Sequence, residues 1–233
     1  WRREYLAQFV TDDEYMIVPE FSNANVNEPT IPAYRQRYVG IDPGFTDLTA
    51  VLFGYVDFKR QKLCVEYDLE MKRANTHALI EEIKKVEDKA WGSYEPKGRE
   101  RNVRRVSDVD LRLIADLNLA GLPCYPTAKD GKEAALVSMR TALAERRIEV
   151  HPRCKTLISH LKYGIWNKGK TSFARSGDFG HFDAIDALVY MWRNIDWNHN
   201  PFPANDPMTW EILPQPKPDN PWANLLRPTW KNF

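Results

Sequence analysis

Four aspartates sit where carboxylates could act on one another. Asp42 closes an apolar run, "YVGID", and is followed at once by Pro43 and Gly44. Asp108 closes a second run, "VRRVSD". Asp183 and Asp186 stand three residues apart in "HFDAIDALVYMWRNI", a helical stretch, so they are surface neighbours on it. Each has an ordinary reading by itself: Asp42 a turn residue, Asp108 a loop acid before the next helix, Asp183 a first-turn carboxylate, Asp186 part of a solvated face. Together they carry more. In an open α/β sheet, reactive groups collect at the carboxyl ends of strands, where Asp42 and Asp108 both fall. If those strands are neighbours and the last helix packs beside them, three or four carboxylates converge.

Convergence has a cost. A free Asp has a pKa of about 3.9, so all four would be ionised at neutral pH and would repel. Mg²⁺ or Mn²⁺ relieves that repulsion, because hard cations favour oxygen ligands and accept substrate phosphate oxygens as well. Two such ions about 3.5–4 Å apart can activate a water and stabilise the leaving oxygen of a phosphodiester. The chemistry to expect is metal-assisted phosphodiester hydrolysis without a covalent intermediate.

A second stretch points elsewhere. "GIWNKGKT", residues 164–171, fits the phosphate-loop pattern G-x-x-x-x-G-K-[ST]. A working loop of that kind needs a strand before it and a helix after it. Here "LISHLK" reads as helix, "SFARSGDFG" is turn-rich, and bulky Ile165 and Trp166 sit where the loop must curl. The segment reads better as a β-hairpin, "KYGIW"–"NKGK"–"TSFAR". Its Lys162, Lys168, Lys170 and Arg175 could follow a phosphate backbone without reading bases. A solvated hairpin with no ligand is the plain alternative.

The elements that must position these residues follow from patterning. Residues 1–36 open with "WRREYLAQF" and continue through "NANVNEPTIP", which reads as a linker or arm. "YVGID", "LTAVLFGYV" and "KLCVEYDL" are strand-like runs separated by turn-sized gaps. "THALIEEIKKVEDKAW" places Leu79, Ile80, Ile83, Val86, Ala90 and Trp91 on one helical face. After "VRRVSD" comes a helix, "DLRLIADLNLAG", with Asp110 as N-cap and Gly121 as its stop. "LPCYP" and "IEVHP" are short extended runs, and "GKEAALVSMRTALAERR" and "CKTLISHLKY" are helical. In the last helix Ile185, Leu188, Trp192 and Ile195 form the buried stripe, with Asp183, Asp186 and Tyr190 away from it. A meander followed by strand–helix alternation predicts a mixed sheet with helices on its faces. The α/β body is expected over 37–197 and a Pro-rich tail over 198–233. Eight of the sixteen prolines fall between 201 and 228, interleaved with Trp210, Trp222 and Trp230.

Bulk properties narrow the class. The 233 residues carry 33 Lys plus Arg against 32 Asp plus Glu, a net charge of +1. The basic residues cluster at 97–105, 146–155 and 162–175, and such clusters can track nucleic acid despite a balanced total. No apolar run approaches the roughly 18 residues of a membrane span. Cys64, Cys124 and Cys154 form no C-x-x-C pair, and His151 with Cys154 lacks two of the four zinc ligands. A reducing, cytoplasmic setting fits. The chain begins with Trp1 and reads as a piece of something longer.

Taken in order, "YVGIDPG", "RVSDVD" and "GHFDAIDALVYMW" resemble the nuclease domain of phage terminase large subunits, within the RNase H-like (retroviral integrase-like) superfamily. The opening "WRREYLAQFVTDDEYMIVPEF" looks like the segment joining the terminase ATPase to its nuclease. The resemblance implies an RNase H-like mixed central sheet flanked by helices, with an added β-hairpin and a Pro/Trp-rich tail. It implies Asp42, Asp108 and Asp183 as catalytic metal ligands for two Mg²⁺ or Mn²⁺ ions. Asp186 corresponds to the second acid of RuvC-type resolvases, and Asp47 is an auxiliary ligand. Asp110 stays open as an alternative to Asp108. His181 either hydrogen-bonds a metal-bound water or caps the helix.

The implied activity is endonucleolytic cutting of concatemeric double-stranded DNA, with little sequence specificity, during viral genome packaging. The portal protein and small terminase subunit would be partners. The host cytoplasm at the procapsid would be the location, and the ATPase would lie upstream of Trp1. A RuvC-like junction resolvase or transposase core is the competing enzyme. The opening segment and the tail argue against it. Intact acids at all the places argue against a non-catalytic DNA-binding module.

Overall fold

Three consecutive strands form an antiparallel meander: β1 (Gln36–Asp42), β2 (Leu48–Asp57) and β3 (Lys62–Lys72). The computed structural model describes residues 15–32, 35–44, 48–73, 75–92, 103–174 and 181–198. Helix α1 (Thr76–Trp91) then carries the chain back, so that β4 (Val103–Ser107) lies parallel to β1 on its free side. Helix α2 (Leu111–Leu119) leads to β5 (Cys124–Pro126), parallel to β4. Helix α3 (Lys132–Ala144) crosses to the far edge, where β6 (Ile148–Val150) pairs with β3. Helices α4 (Lys155–Tyr163) and α5 (Asp183–Arg193) complete the described residues. The sheet order is β5-β4-β1-β2-β3-β6, the mixed sheet expected from the sequence.

Every residue of β2 is buried, as a central strand covered on both faces must be. Val39, Ile41, Val51 and Phe53 point to one face and pack with Leu79, Ile80, Ile83 and Trp91 of α1 and with Leu113, Ile114 and Leu117 of α2. Helix α5 lies against β1 and β2, and α3 and α4 pack against α5. Within the α1 stripe the apolar pattern missed Glu87, which is buried. Its carboxylate accepts from Arg105 Nε at 2.7 Å and Nη2 at 2.6 Å, tying α1 to β4.

Two helix ends follow the sequence. Asn75 caps α1 by accepting from the Ala78 amide at 2.8 Å. Asp110 caps α2 by accepting from the Arg112 and Leu113 amides at 3.1 Å, and Gly121 follows at φ 79°.

The described part of the expected arm is seated on this core. Ile17 and Val18 are fully buried, and the Ile17 amide donates to Gly164 O at 2.9 Å. Asn25, in a short 3-10 turn, donates from Nδ2 to Leu143 O at 2.8 Å. Glu20 takes a forked ion pair from Arg140, with contacts of 2.6 to 3.0 Å. The chain divides into two units, Trp1–His199 and Asn200–Phe233, and every described residue lies in the first. The Pro-rich tail, from residue 199 on, is outside the described residues. No described helix is long and apolar enough to cross a membrane.

Candidate metal centre

Strand pairing brings the first two acids together. β1 and β4 run parallel with Ile41 opposite Ser107, so Asp42 and Asp108 leave neighbouring strand ends, about 5 Å apart along the sheet. The Asp108 amide extends the ladder to Ile41 O at 3.3 Å. Side chains alternate along a strand. Val39 and Ile41 face α1 and α2, so Gly40 and Asp42 face α5. Arg105 faces α1 through Glu87, so Asp108 shares the face of Asp42.

Gly40 lets α5 reach that face. A Cβ there would stand 2.5 Å from Met191 Cγ and closer still to Ala187 O. Backbone and helix touch, and any larger residue would hold α5 away. Asp183, the first residue of α5, is 9% exposed, and the side chain of Asp186 is 15% exposed. The reading of these two acids as a solvated face therefore does not hold. Tyr190, on the same side, is also buried, and burial first, then the charge of Asp42, pushes its hydroxyl up.

The start of α5 is held by a residue from α4. Phe182 occupies the N-cap position in the left-handed region (φ 60°) and offers no capping side chain. Instead His160 Nδ1 accepts from the Ala184 amide at 3.3 Å, and the His160 and Phe182 rings meet edge to face at 5.5 Å. The left-handed turn costs a non-glycine residue about 1–2 kcal/mol. Burial of Phe182 and the His160 bond offset it and fix where Asp183 emerges. The Ala184 amide at the start of α5 is thus met by a side chain from α4.

The electrostatics record the convergence. Burial first, then the charges of Asp186 and Asp183, hold the Asp42 carboxyl well above the usual range; Lys132 opposes this and Asp108 adds to it. Burial also raises Asp186, with Lys132 opposing. Asp108 acts on Asp42, Asp186 and Tyr190, whereas Asp110 is engaged in capping α2. Two lysines neutralise part of the cluster. Lys132 Nζ stands 2.8 Å from Asp186 Oδ1, and Lys129 Nζ stands 3.2 Å from Asp108 Oδ1. Among the described residues no three His, Cys, Asp or Glu side chains are gathered closely enough to cage an ion. The donor chemistry, all carboxylate oxygen, is nonetheless what Mg²⁺ and Mn²⁺ take.

The charges of Asp108, Asp183 and Asp186 all act on Asp42 at this end of the sheet. Asp47 and Arg175 lie outside the described residues. Lys168 and Lys170 are exposed on the turn after Trp166, with Lys170 Nζ 5.2 Å from the Tyr15 ring. Lys162 lies in α4, which runs on to Tyr163, so the first hairpin strand is shorter than expected and begins after Gly164. Hairpin pairing is present at Trp166 with Phe173. The turn is not a phosphate loop: a helix precedes it, and its amides are used internally. Asn167 N donates to Ser172 O, Lys170 N to Asn167 O and Thr171 N to Asn167 Oδ1.

Sequence reasoning missed His160, Lys129 and Lys132. His160 is 24 residues from its partner, and nothing local marks it. Lys132 carried one signal: a cation at the first helical position opposes the helix dipole.

No protein-family model and no curated protein matches this chain. Solved structures do. The large terminase of a thermophilic bacteriophage superposes with a TM-score of 0.62 at 16% identity, over 78% of this chain and 45% of that one. The P22 large terminase nuclease domain gives 0.59 at 16%, over 76% and 92%. The large terminase nuclease of the thermophilic phage G20c with bound magnesium gives 0.54 at 14%, over 78% and 98%. The chain spans less than half of the first of these proteins and nearly all of the two nuclease domains. The mixed six-stranded sheet and its flanking helices share their fold with these large-terminase nuclease domains.

Proposed function

We propose that this chain is the metal-dependent endonuclease part of a viral genome-packaging terminase, cutting concatemeric double-stranded DNA with little sequence specificity. The observation that supports the reading is the placing of Asp42 and Asp108 at the ends of the paired strands β1 and β4, with the charges of Asp183 and Asp186 on α5 acting on Asp42. The superposed G20c nuclease has been solved with magnesium, cobalt and zinc, which supports a divalent cation here.

Asp42, Asp108 and Asp183 would hold Mg²⁺ or Mn²⁺, two ions in all, with Asp186 beside them. When bound, the ions make water nucleophilic at neutral pH and stabilise the leaving oxygen. The chain's own part is positional. Gly40 lets α5 lie against β1, and His160 holds the start of that helix, where Asp183 and Asp186 stand. Lys168 and Lys170, with Lys162 and Arg175, would meet the duplex backbone. Portal protein, small terminase subunit, an upstream ATPase and action at the procapsid in the host cytoplasm belong to the same proposal.

Plasmid cleavage with Mn²⁺ tests it. The unmodified chain should nick and linearise supercoiled DNA, and Asp42→Asn and Asp183→Asn should each abolish cutting while keeping the circular dichroism spectrum. Full activity in either variant would overturn the assignment.

A further inference from the structure

We propose that Lys132 is a built-in counter-ion of the acidic cluster, holding Asp186 until a divalent cation displaces its ammonium. The inference rests on the reading of these acids as metal ligands and adds a competitor for the same oxygens.

The geometry is specific. Lys132 is the first residue of α3, following Gly131 at φ 62°. Its Nζ lies 2.8 Å from Asp186 Oδ1 and 5.1 Å from the centre of the Phe173 ring. The ammonium is thus held between the acids and the base of the hairpin. The helix dipole is positive at that end and disfavours a cation there, so the carboxylates are what keep it in place. Lys129, three residues earlier, does the same for Asp108 at 3.2 Å. The two lysines supply two positive charges to a cluster of four carboxylates.

A divalent cation close to Asp186 competes with the Lys132 ammonium, because like charges repel across a few ångströms. The side chain of Lys132 is half exposed, so it has a way out into solvent. Metal entry is therefore an exchange, one cation for another, and the acids are never left bare.

Two measurements on the 233-residue protein test this. Acetylation of lysines, followed by mass spectrometry, reads how freely each amine reacts. Adding Mg²⁺ should raise labelling of Lys132 several-fold and leave Lys168 unchanged; no rise at Lys132 overturns the proposal. Calorimetric titration with Mn²⁺ should show Lys132→Met binding about two- to fivefold more tightly, as expected for removing a partly exposed ion pair worth up to about 1 kcal/mol. Lys132→Arg should bind like the unmodified protein. Equal or weaker binding by Lys132→Met overturns the proposal. Mn²⁺ binding to none of the three would sink the metal-site reading as well, whereas binding with an unresponsive Lys132 sinks this inference alone.

Discussion

Gly40→Ala should disconnect the two halves of the acidic cluster. The added Cβ would lie 2.5 Å from Met191 Cγ and closer still to Ala187 O. Ordinary contact between such atoms is about 3.5 Å, so α5 must retreat from β1 by about 1 Å. Met191 can shift a rotamer, but Ala187 O is backbone and moves only with the helix. Overpacking of this kind costs about 1–3 kcal/mol. For a domain of this size that lowers Tm by roughly 2–4 °C per kcal/mol. The assay is thermal unfolding with and without millimolar Mn²⁺, alongside a destabilised control on the opposite face, Arg105→Met. A ligand bound only by the folded state raises Tm by an amount set by its affinity. Both variants should melt early without metal. Only Gly40→Ala should lose most of the Mn²⁺-induced rise, because only there do Asp183 and Asp186 withdraw from Asp42. An undiminished rise in Gly40→Ala would refute the idea that this contact sets the carboxylate spacing.

Three other perturbations have definite directions. The folded-state pKa of Asp42 is raised above its unfolded value, so the folded chain binds the extra proton. Metal-free stability should then fall as pH rises from the ordinary Asp value through the raised one. Asp42→Asn should flatten that fall and melt no lower than the parent at neutral pH, which metal-free melts from acid to neutral pH would check. His160→Ala removes the acceptor for the Ala184 amide and should cost about 1 kcal/mol, as lost caps do; His160→Asn should recover part of both the stability and the Mn²⁺-induced rise. Arg105→Met alone leaves Glu87 buried and unpaired and should cost about 3–5 kcal/mol, whereas Arg105→Met with Glu87→Leu should cost much less by denaturant unfolding.

Local features were legible and contacts across the fold were not. Asp110 and Gly121 bound α2 because capping chemistry is written within a few residues. The stripe Ile185, Leu188, Trp192 and Ile195 was readable from helical period, and all four are buried. Asp42 and Asp108 could be placed at strand ends from the apolar runs they close. The polar side of α5 misled when read alone: Asp183 and Tyr190 are enclosed because α5 packs on the sheet and on two helices at once. Periodicity cannot see that a face is covered by elements distant in sequence. Nor can it see that Glu87 is answered by Arg105, or that α4 continues through Tyr163 before the hairpin begins. The phosphate-loop match shows the same limit from the other side, since its letters fit while its amides are spent within the turn.

The seating of the chain's first described residues has a mechanical side. Ile17 bonds to Gly164 O, and Trp166 N bonds to Tyr15 O. A Cβ on Gly164 would press on the δ-carbons of both Ile17 and Ile185, so those two side chains meet over it. Tension on the polypeptide ahead of Tyr15 would be delivered through these bonds to the end of α4 and, by way of Ile185, to the first turn of α5. The first turn of α5, which carries Asp183 and Asp186, is thereby coupled to the entering polypeptide.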